Sequence, residues 1–203
     1  MSRPKKSQES PGDPGARIRL LKAAVELFTT KGYAATTVRQ IVELAGVSAP
    51  VLYYYFKNKE GLYLQLISEP FARQQEFYNR AGTGEGSPVA RIFLLCDELF
   101  ELFMETIDVG RLMMSVYFGP PQGAPNFKFD EQCQEITNVF ANLVKEAIAA
   151  GEINEGDPKQ IAWAIGSIIN AVYLEQMSPQ PQMDKAGMRQ VLGLLFTGVG
   201  GSK

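Results

Sequence analysis

From Ile18 to Phe196 the apolar residues recur at helical spacing, and no useful length of chain alternates apolar and polar residues with the period of a strand. This confines the molecule to an all-α fold of about nine helices. Ile18, Leu21, Val25 and Phe28 mark the expected inner face of a first helix ending near Lys31-Gly32. Thr37 and Gln40 form a capping box for a second helix, with Val38, Ile41, Val42 and Ala45 as its apolar stripe and Gly46 as its stop. Ser48, followed by Ala49 and Pro50, opens a short third helix that runs to about Phe56. A fourth helix from Asn58 toward Asn79 contains Pro70, which predicts a kink or break near Ser68 to Pro70. Further helices are expected over 88–107, a short 110–118 segment, a helix closed by Gly151, 158–177 and 184–197, with loops at 81–87 and 119–125.

With 203 residues the chain has room for one domain or two small ones. It contains no histidine. Ser-His-Asp and Cys-His nucleophilic sites, His-ligated metals and imidazole acid/base chemistry are therefore excluded. Glu98, Glu101 and Glu105 stand at helical spacing but lack companion ligands, so they read as a solvated face; no enzyme activity, metal or cofactor is expected. Cys96 and Cys133 suit reduced thiols rather than a redox pair. Met1 to Gln8 has no apolar core of a secretory signal, and Ile161 to Leu174 is too short and interrupted to span a bilayer, so a cytoplasmic protein with no membrane partner is expected.

The net charge of −2 conceals an asymmetry. Up to Leu66 there are ten Lys and Arg against five Asp and Glu; from Ile67 onward the counts are ten and seventeen. A basic first third suits a polyanion. It includes residues 1–15, whose Pro, Gly, Ser and charge read as a disordered arm. Two short helices joined by a Gly-containing turn have the geometry of a helix-turn-helix, a weak signal by itself because helical hairpins are common. The second of them adds small residues at its start, then Tyr53, Tyr54, Lys57 and Lys59, whose donors suit phosphate oxygens, while Tyr55 and Phe56 belong with Leu52 toward the core.

The runs Ala35-Thr36-Thr37-Val38-Arg39-Gln40-Ile41, Ala45-Gly46-Val47-Ser48 and Leu52-Tyr53-Tyr54-Tyr55-Phe56-Lys57-Asn58-Lys59-Glu60-Gly61-Leu62, preceded by Ala24, Phe28, Gly32 and Tyr33, resemble the N-terminal domain of the TetR family of transcriptional regulators. The resemblance covers about Ala16 to Leu66; beyond it only the architecture is similar. It implies a three-helix DNA-binding domain over 16–66 and a larger helical effector-binding and dimerisation domain over 67–203. It further implies a homodimer, expected to be a repressor, that binds a palindromic double-stranded DNA operator and is released by a small-molecule effector. Carried over by position, the contacts would be Thr36, Thr37, Ser48, Ala49, Pro50, Tyr53, Tyr54 and Lys59, with Arg39 and Lys57 as further basic candidates. Pro50 stands where the family often has a smaller residue, which leaves its base preference open.

The larger part yields its expectations from its own residues. Two terminal helices are apolar over more than one face, which predicts a two-fold interface through Ile165, Ile169, Val172, Leu192, Leu195 and Phe196. Phe100, Phe103, Met104, Met113, Met114, Tyr117 and Phe118 read either as core or as an adaptable pocket for an apolar or amphipathic effector, with Asn170, Tyr173 and Arg111 as polar candidates. A DNA-binding or adaptor protein that senses no ligand is the alternative reading.

Overall fold

The computed structural model describes residues 13–198, which contain nine α-helices and no strand. In order these are α1 (Pro14–Lys31), α2 (Val38–Ala45), α3 (Ala49–Phe56), α4 (Lys59–Thr83), α5 (Pro88–Glu105), α6 (Ile107–Phe118), α7 (Phe129–Ala149), α8 (Pro158–Gln176) and α9 (Lys185–Thr197). The expected arm lies outside the described residues, apart from its last few positions. None of these helices is long and apolar enough to cross a membrane.

Local chemistry sets the helix ends. Asp13, Thr37, Ser87, Asp157 and Asp184 each accept a backbone N–H in the first turn of the helix that follows, which satisfies a donor the helix itself leaves free. Thr37 and Gln40 complete the capping box in both directions. Gly46 ends α2 in the left-handed conformation, φ 68° and ψ 25°, where its N–H reaches back to the carbonyls of Val42 and Glu43.

Contacts within the chain divide it into two compact units. The first joins the described residues up to Pro70 with Ile107–Phe127; the second joins Phe71–Thr106 with Lys128 onward. In the first unit, Leu20, Ala24 and Phe28 of α1, Ile41 of α2, Leu52 and Phe56 of α3, Leu62 and Ile67 of α4, and Leu112 of α6 are buried. Phe28, Tyr33 and Tyr63 pack as an aromatic trio with ring centres 5.1–5.7 Å apart. The second unit is built on Ile92, Leu95, Cys96 and Leu99 of α5, Phe140, Leu143 and Val144 of α7, Ile165, Ile169 and Val172 of α8, and Met188 and Leu192 of α9. Two ion pairs tie α9 to α5, Arg189 with Asp97 and Lys185 with Glu101.

Three expectations need correction. Ile18 is exposed, and Leu21 and Val25 are only half-buried; the inner face of α1 runs through Ala16, Leu20, Ala23, Ala24, Leu27 and Phe28. Small alanines permit close approach of neighbouring helices, a signal that weighting by apolar bulk undervalues. Of the kink or break expected near Pro70, the break does not occur, since α4 is helical through that residue. Proline removes one backbone bond, and the turns on either side are anchored by buried Leu66, Ile67, Tyr78 and Ala81. Third, Ile107–Phe127, expected within the larger domain, clusters with the helix-turn-helix unit through packing of α6 on α1.

Candidate nucleic-acid interface

The sequence from Thr37 to Lys57 folds as helix, turn, helix with two different faces. Val51, Leu52 and Phe56 point α3 into the core, and Val47 buries the turn behind it. Residues 50, 53 and 54 are left on the outer side of α3, about one helical turn apart, and residue 57 follows just past its end. Pro50 and Lys57 are exposed there, and Tyr53 and Tyr54 keep 49% and 61% of their surfaces. Thr37, Arg39 and Ser48 are exposed beside them, and Ala49 is half-buried. The result is a surface of phenols and hydroxyls around a short helix that opens with Ala49 and Pro50, with two cations beside it, Arg39 on α2 and Lys57 just past the end of α3. Such a helix can lie in a major groove with its N-terminal end near base edges.

Lys57 has an unusual backbone, φ 62° and ψ −42°. Together with the hydrogen bond from Asn58 N–H to the Phe56 carbonyl at 2.7 Å, this makes a tight three-residue turn that an L-residue adopts only under strain. It turns the chain sharply out of α3 and leaves the Lys57 side chain outside.

Tyr55 supports the helix from behind. Its hydroxyl donates to the Asp13 carbonyl at 2.8 Å, so the start of α1 is tied to α3. Two expected contacts have inward duties instead. Thr36 is 1% exposed, and its hydroxyl donates to the carbonyls of Gly32 and Leu27 at 2.9 and 3.2 Å. Its side chain is not at the surface. The Lys59 ammonium donates to the carbonyls of Tyr33 and Thr36, both at 2.9 Å, and sits 4.1 Å from the Tyr33 ring centre. Burial pulls its pKa below the ordinary lysine value. Burial and then the Glu60 charge push the Tyr33 phenol up. Lys59 therefore clamps the α1–α2 turn, a role that residue type and position alone do not distinguish from phosphate binding.

This region matches a protein-family model: residues 20–66 match that of the bacterial regulatory proteins, tetR family. Residues 20–66 are thus a domain of the tetR type. Likeness to individual regulators extends well beyond it. A fatty acid metabolism regulator protein from Bacillus subtilis (strain 168) is 26% identical over 188 residues, covering 90% of this chain and 94% of that protein. A solved Clostridium perfringens putative fatty acid metabolism regulator superposes with a TM-score of 0.72 at 24% identity, over 91% of this chain and 100% of that one. The transcriptional regulator FadR from Bacillus subtilis, solved in complex with stearoyl-CoA, gives 0.63 at 24% identity, over 90% and 99% of the two chains. All three are regulators by name, the Bacillus subtilis FadR a transcriptional one.

Outside the tetR-type domain, the remaining candidates fall in both units. Phe100, Phe103, Met104, Asn170 and Tyr173 lie in the second unit, whereas Met113, Met114, Tyr117 and Phe118 lie on α6 in the first. Phe100 is buried in the core; Met104, Tyr117, Phe118 and Asn170 are exposed; Met113 and Met114 are half-buried. Arg111, also exposed, pairs with Asp108. Phe103 and Tyr173 do meet, stacked in parallel with centres 3.9 Å apart. Burial, followed by the Cys96 and Tyr78 charges, raises the Tyr173 phenol pKa well above its usual range. Burial does the same for Cys96 and Tyr78.

The expected dimer residues also need correction. Ile165, Ile169, Val172 and Leu192 are at most 4% exposed within a single chain, and Leu195 and Phe196 pack against the same core. Ile165, Ile169, Val172 and Leu192 therefore belong to the core of the second unit rather than to an outward face, while Leu195 and Phe196 stay half-buried at its edge. The outward apolar residues are Trp163, 71% exposed, and Leu174 on α8, with Leu194 on α9. Ser167, Asn170 and Ala171, also exposed, complete one stripe of α8 between Trp163 and Leu174. Trp163, the single tryptophan, gave a usable signal, since it begins a stripe at i, i+4, i+7, i+8 and i+11.

Proposed function

We propose that the protein is a homodimeric transcriptional repressor, acting in the cytoplasm, whose operator binding is relieved by an amphipathic effector with a long apolar chain. The observation that carries the DNA reading is the outer side of α3, where Tyr53, Tyr54 and Lys57 stand exposed around a helix start made of Ser48, Ala49 and Pro50. Thr37 and Arg39 extend that surface onto α2. These eight residues are the contact set, Thr36 and Lys59 being its internal supports. Residues 16–66 form the DNA-binding domain, and 67–203 supply effector binding and dimerisation, with α6 packed on the DNA-binding core. Two copies pair through the outward faces of α8 and α9, centred on Trp163, Leu174 and Leu194. The two recognition helices then enter successive major grooves of a palindrome, about 34–36 Å apart.

The effector class follows from likeness over nearly the whole chain to regulators named for fatty acid metabolism, one of them solved with stearoyl-CoA. A second unit whose core is apolar, with Phe103 and Tyr173 stacked at its edge, accords with an acyl chain. The effector acts by favouring a dimer whose α3 helices are wrongly spaced. α4, which carries Pro70, is one route for that change. Pro70→Ala is then expected to alter the coupling between effector and operator more than the affinity for either.

The test is selection of bound fragments from genomic DNA, followed by titration of the recovered duplex with stearoyl-CoA, coenzyme A and stearate. Release by stearoyl-CoA at concentrations where coenzyme A does nothing is the expected result. Binding to the duplex that none of the three alters would favour the constitutive reading, and failure to recover any duplex would overturn the DNA reading.

A further inference from the structure

The turn between α1 and α2 delivers Thr37 to the start of the helix-turn-helix, and it is gripped from two directions. Lys59 holds the carbonyls of Tyr33 and Thr36. The other grip comes from the segment after α6. The Ala34 N–H donates to the main-chain carbonyl of Gln122 at 3.1 Å. The Gln122 side-chain Nε2 donates to the Ser115 Oγ at 2.8 Å and to the Ser115 carbonyl at 3.2 Å. Gln122 Oε1 is buried without a hydrogen-bond partner and lies 3.1 Å from where a Cβ on residue 32 would stand. Gly32 supplies both requirements of that spot: it adopts φ 82°, and it leaves the space the amide occupies.

Packing alone does not account for a glutamine here. A leucine or methionine would fill similar volume without leaving a buried oxygen unpaired, which costs stability. What the amide adds is two bonds to Ser115, which fix the position of the Gln122 carbonyl relative to α6, and that carbonyl in turn holds Ala34. The preceding Pro120 and Pro121 restrict the backbone that bridges the gap. Both flanks of Ile107–Phe127, Thr106 and Lys128, belong to the second unit, so this strap is continuous at each end with the larger part of the chain.

We propose that Gln122 is a positioning residue for operator binding: it straps the α1–α2 turn to α6 and thereby sets where Thr37 and the helix-turn-helix stand. This rests on the DNA-binding reading above. The strap touches no DNA; it governs fit rather than charge, and movement of α6 reaches the operator surface through Ala34.

The experiment compares the full-length wild type with Gln122→Leu and Ser115→Ala. The probes are a palindromic duplex selected by the wild type from a random pool, and calf-thymus DNA as non-specific competitor. Gln122→Leu is expected to weaken the selected duplex about five- to thirtyfold. Non-specific affinity and its salt dependence should stay the same, because no phosphate contact is removed. Amide exchange at Ala34 should accelerate, and Ser115→Ala, which removes one of the two bonds, should show a smaller loss in the same direction. Unchanged binding of the selected duplex, or unchanged exchange at Ala34, overturns the proposal. So does an equal loss of specific and non-specific binding, which would signify general damage to the domain. A wild type that selects no duplex defeats the DNA-binding reading itself, and the role of the strap falls with it.

Discussion

α3 and α8 each bury one apolar side and leave aromatic rings on the other, yet their outer faces have opposite chemistry. On α3 the exposed rings are Tyr53 and Tyr54, with Lys57 one turn further on. On α8 the exposed ring is Trp163, followed by Ser167, Asn170, Ala171 and Leu174 with no charge among them. Exposed aromatic area alone does not identify a partner; its neighbours do. Hydroxyls and ammonium groups suit a solvated polyanion, which repels apolar surface and rewards donors. An indole beside small and aliphatic residues suits a closely packed protein surface, where a buried tryptophan is a common energetic anchor.

Substitutions that exchange the two chemistries put this contrast at risk, and the largest effect is expected on α8. Trp163→Glu, alone or with Leu194→Glu, should convert the dimer to a monomer by analytical ultracentrifugation. Operator affinity should fall at least about thirtyfold, because a central anchor is lost and the two half-sites are no longer bound together. A dimer that persists would place the interface elsewhere. Next come two lysines two residues apart. Lys59→Met should lower unfolding free energy by about 1–3 kcal/mol, since two partly buried carbonyls lose a charged donor. Lys57→Met should leave the melting temperature no lower while reducing the slope of log affinity against log salt by about 0.9. Reversed assignments would contradict the inward and outward placement of these side chains. Thr37→Ala removes the cap of α2 and should cost about 1 kcal/mol in denaturant titrations. The smallest effect belongs to Arg189→Ala, which breaks an α5–α9 ion pair at the surface and should cost under about 1 kcal/mol without changing the dimer.

The helix-turn-helix was legible in the sequence because its signals are local. Thr37, Gln40 and Gly46 mark its boundaries through bonds to the backbone beside them, and Ser48 stands at the N-cap of α3 without a side-chain cap bond, all within a dozen residues. The position of the family match agrees. What a side chain does at longer range was not legible. Thr36 and Thr37 are chemically identical neighbours, yet one hydroxyl is buried against Gly32 and Leu27 while the other caps α2. Lys57 and Lys59 diverge in the same way, because the strained turn at Lys57 faces one outward and the helix start draws the other inward. In α8 the periodicity shows that two sides are apolar but not which is core. Ile165, Ile169 and Val172 face α7 and α9, and that choice is made by residues tens of positions away. The docking of α6 against α1 spans still more of the chain, and Gln122 carries no motif that announces it.

The central claim is that the outer side of α3 reads operator DNA, and a paired substitution tests it most directly. Fluorescence anisotropy with a selected palindromic duplex should show the Tyr53→Phe, Tyr54→Phe variant binding about tenfold more weakly than the wild type, since two hydroxyl donors each contribute about 0.5–1.5 kcal/mol. Its melting temperature should match that of the wild type, because both hydroxyls are at the surface. Equal affinity of the two proteins for that duplex would contradict the account.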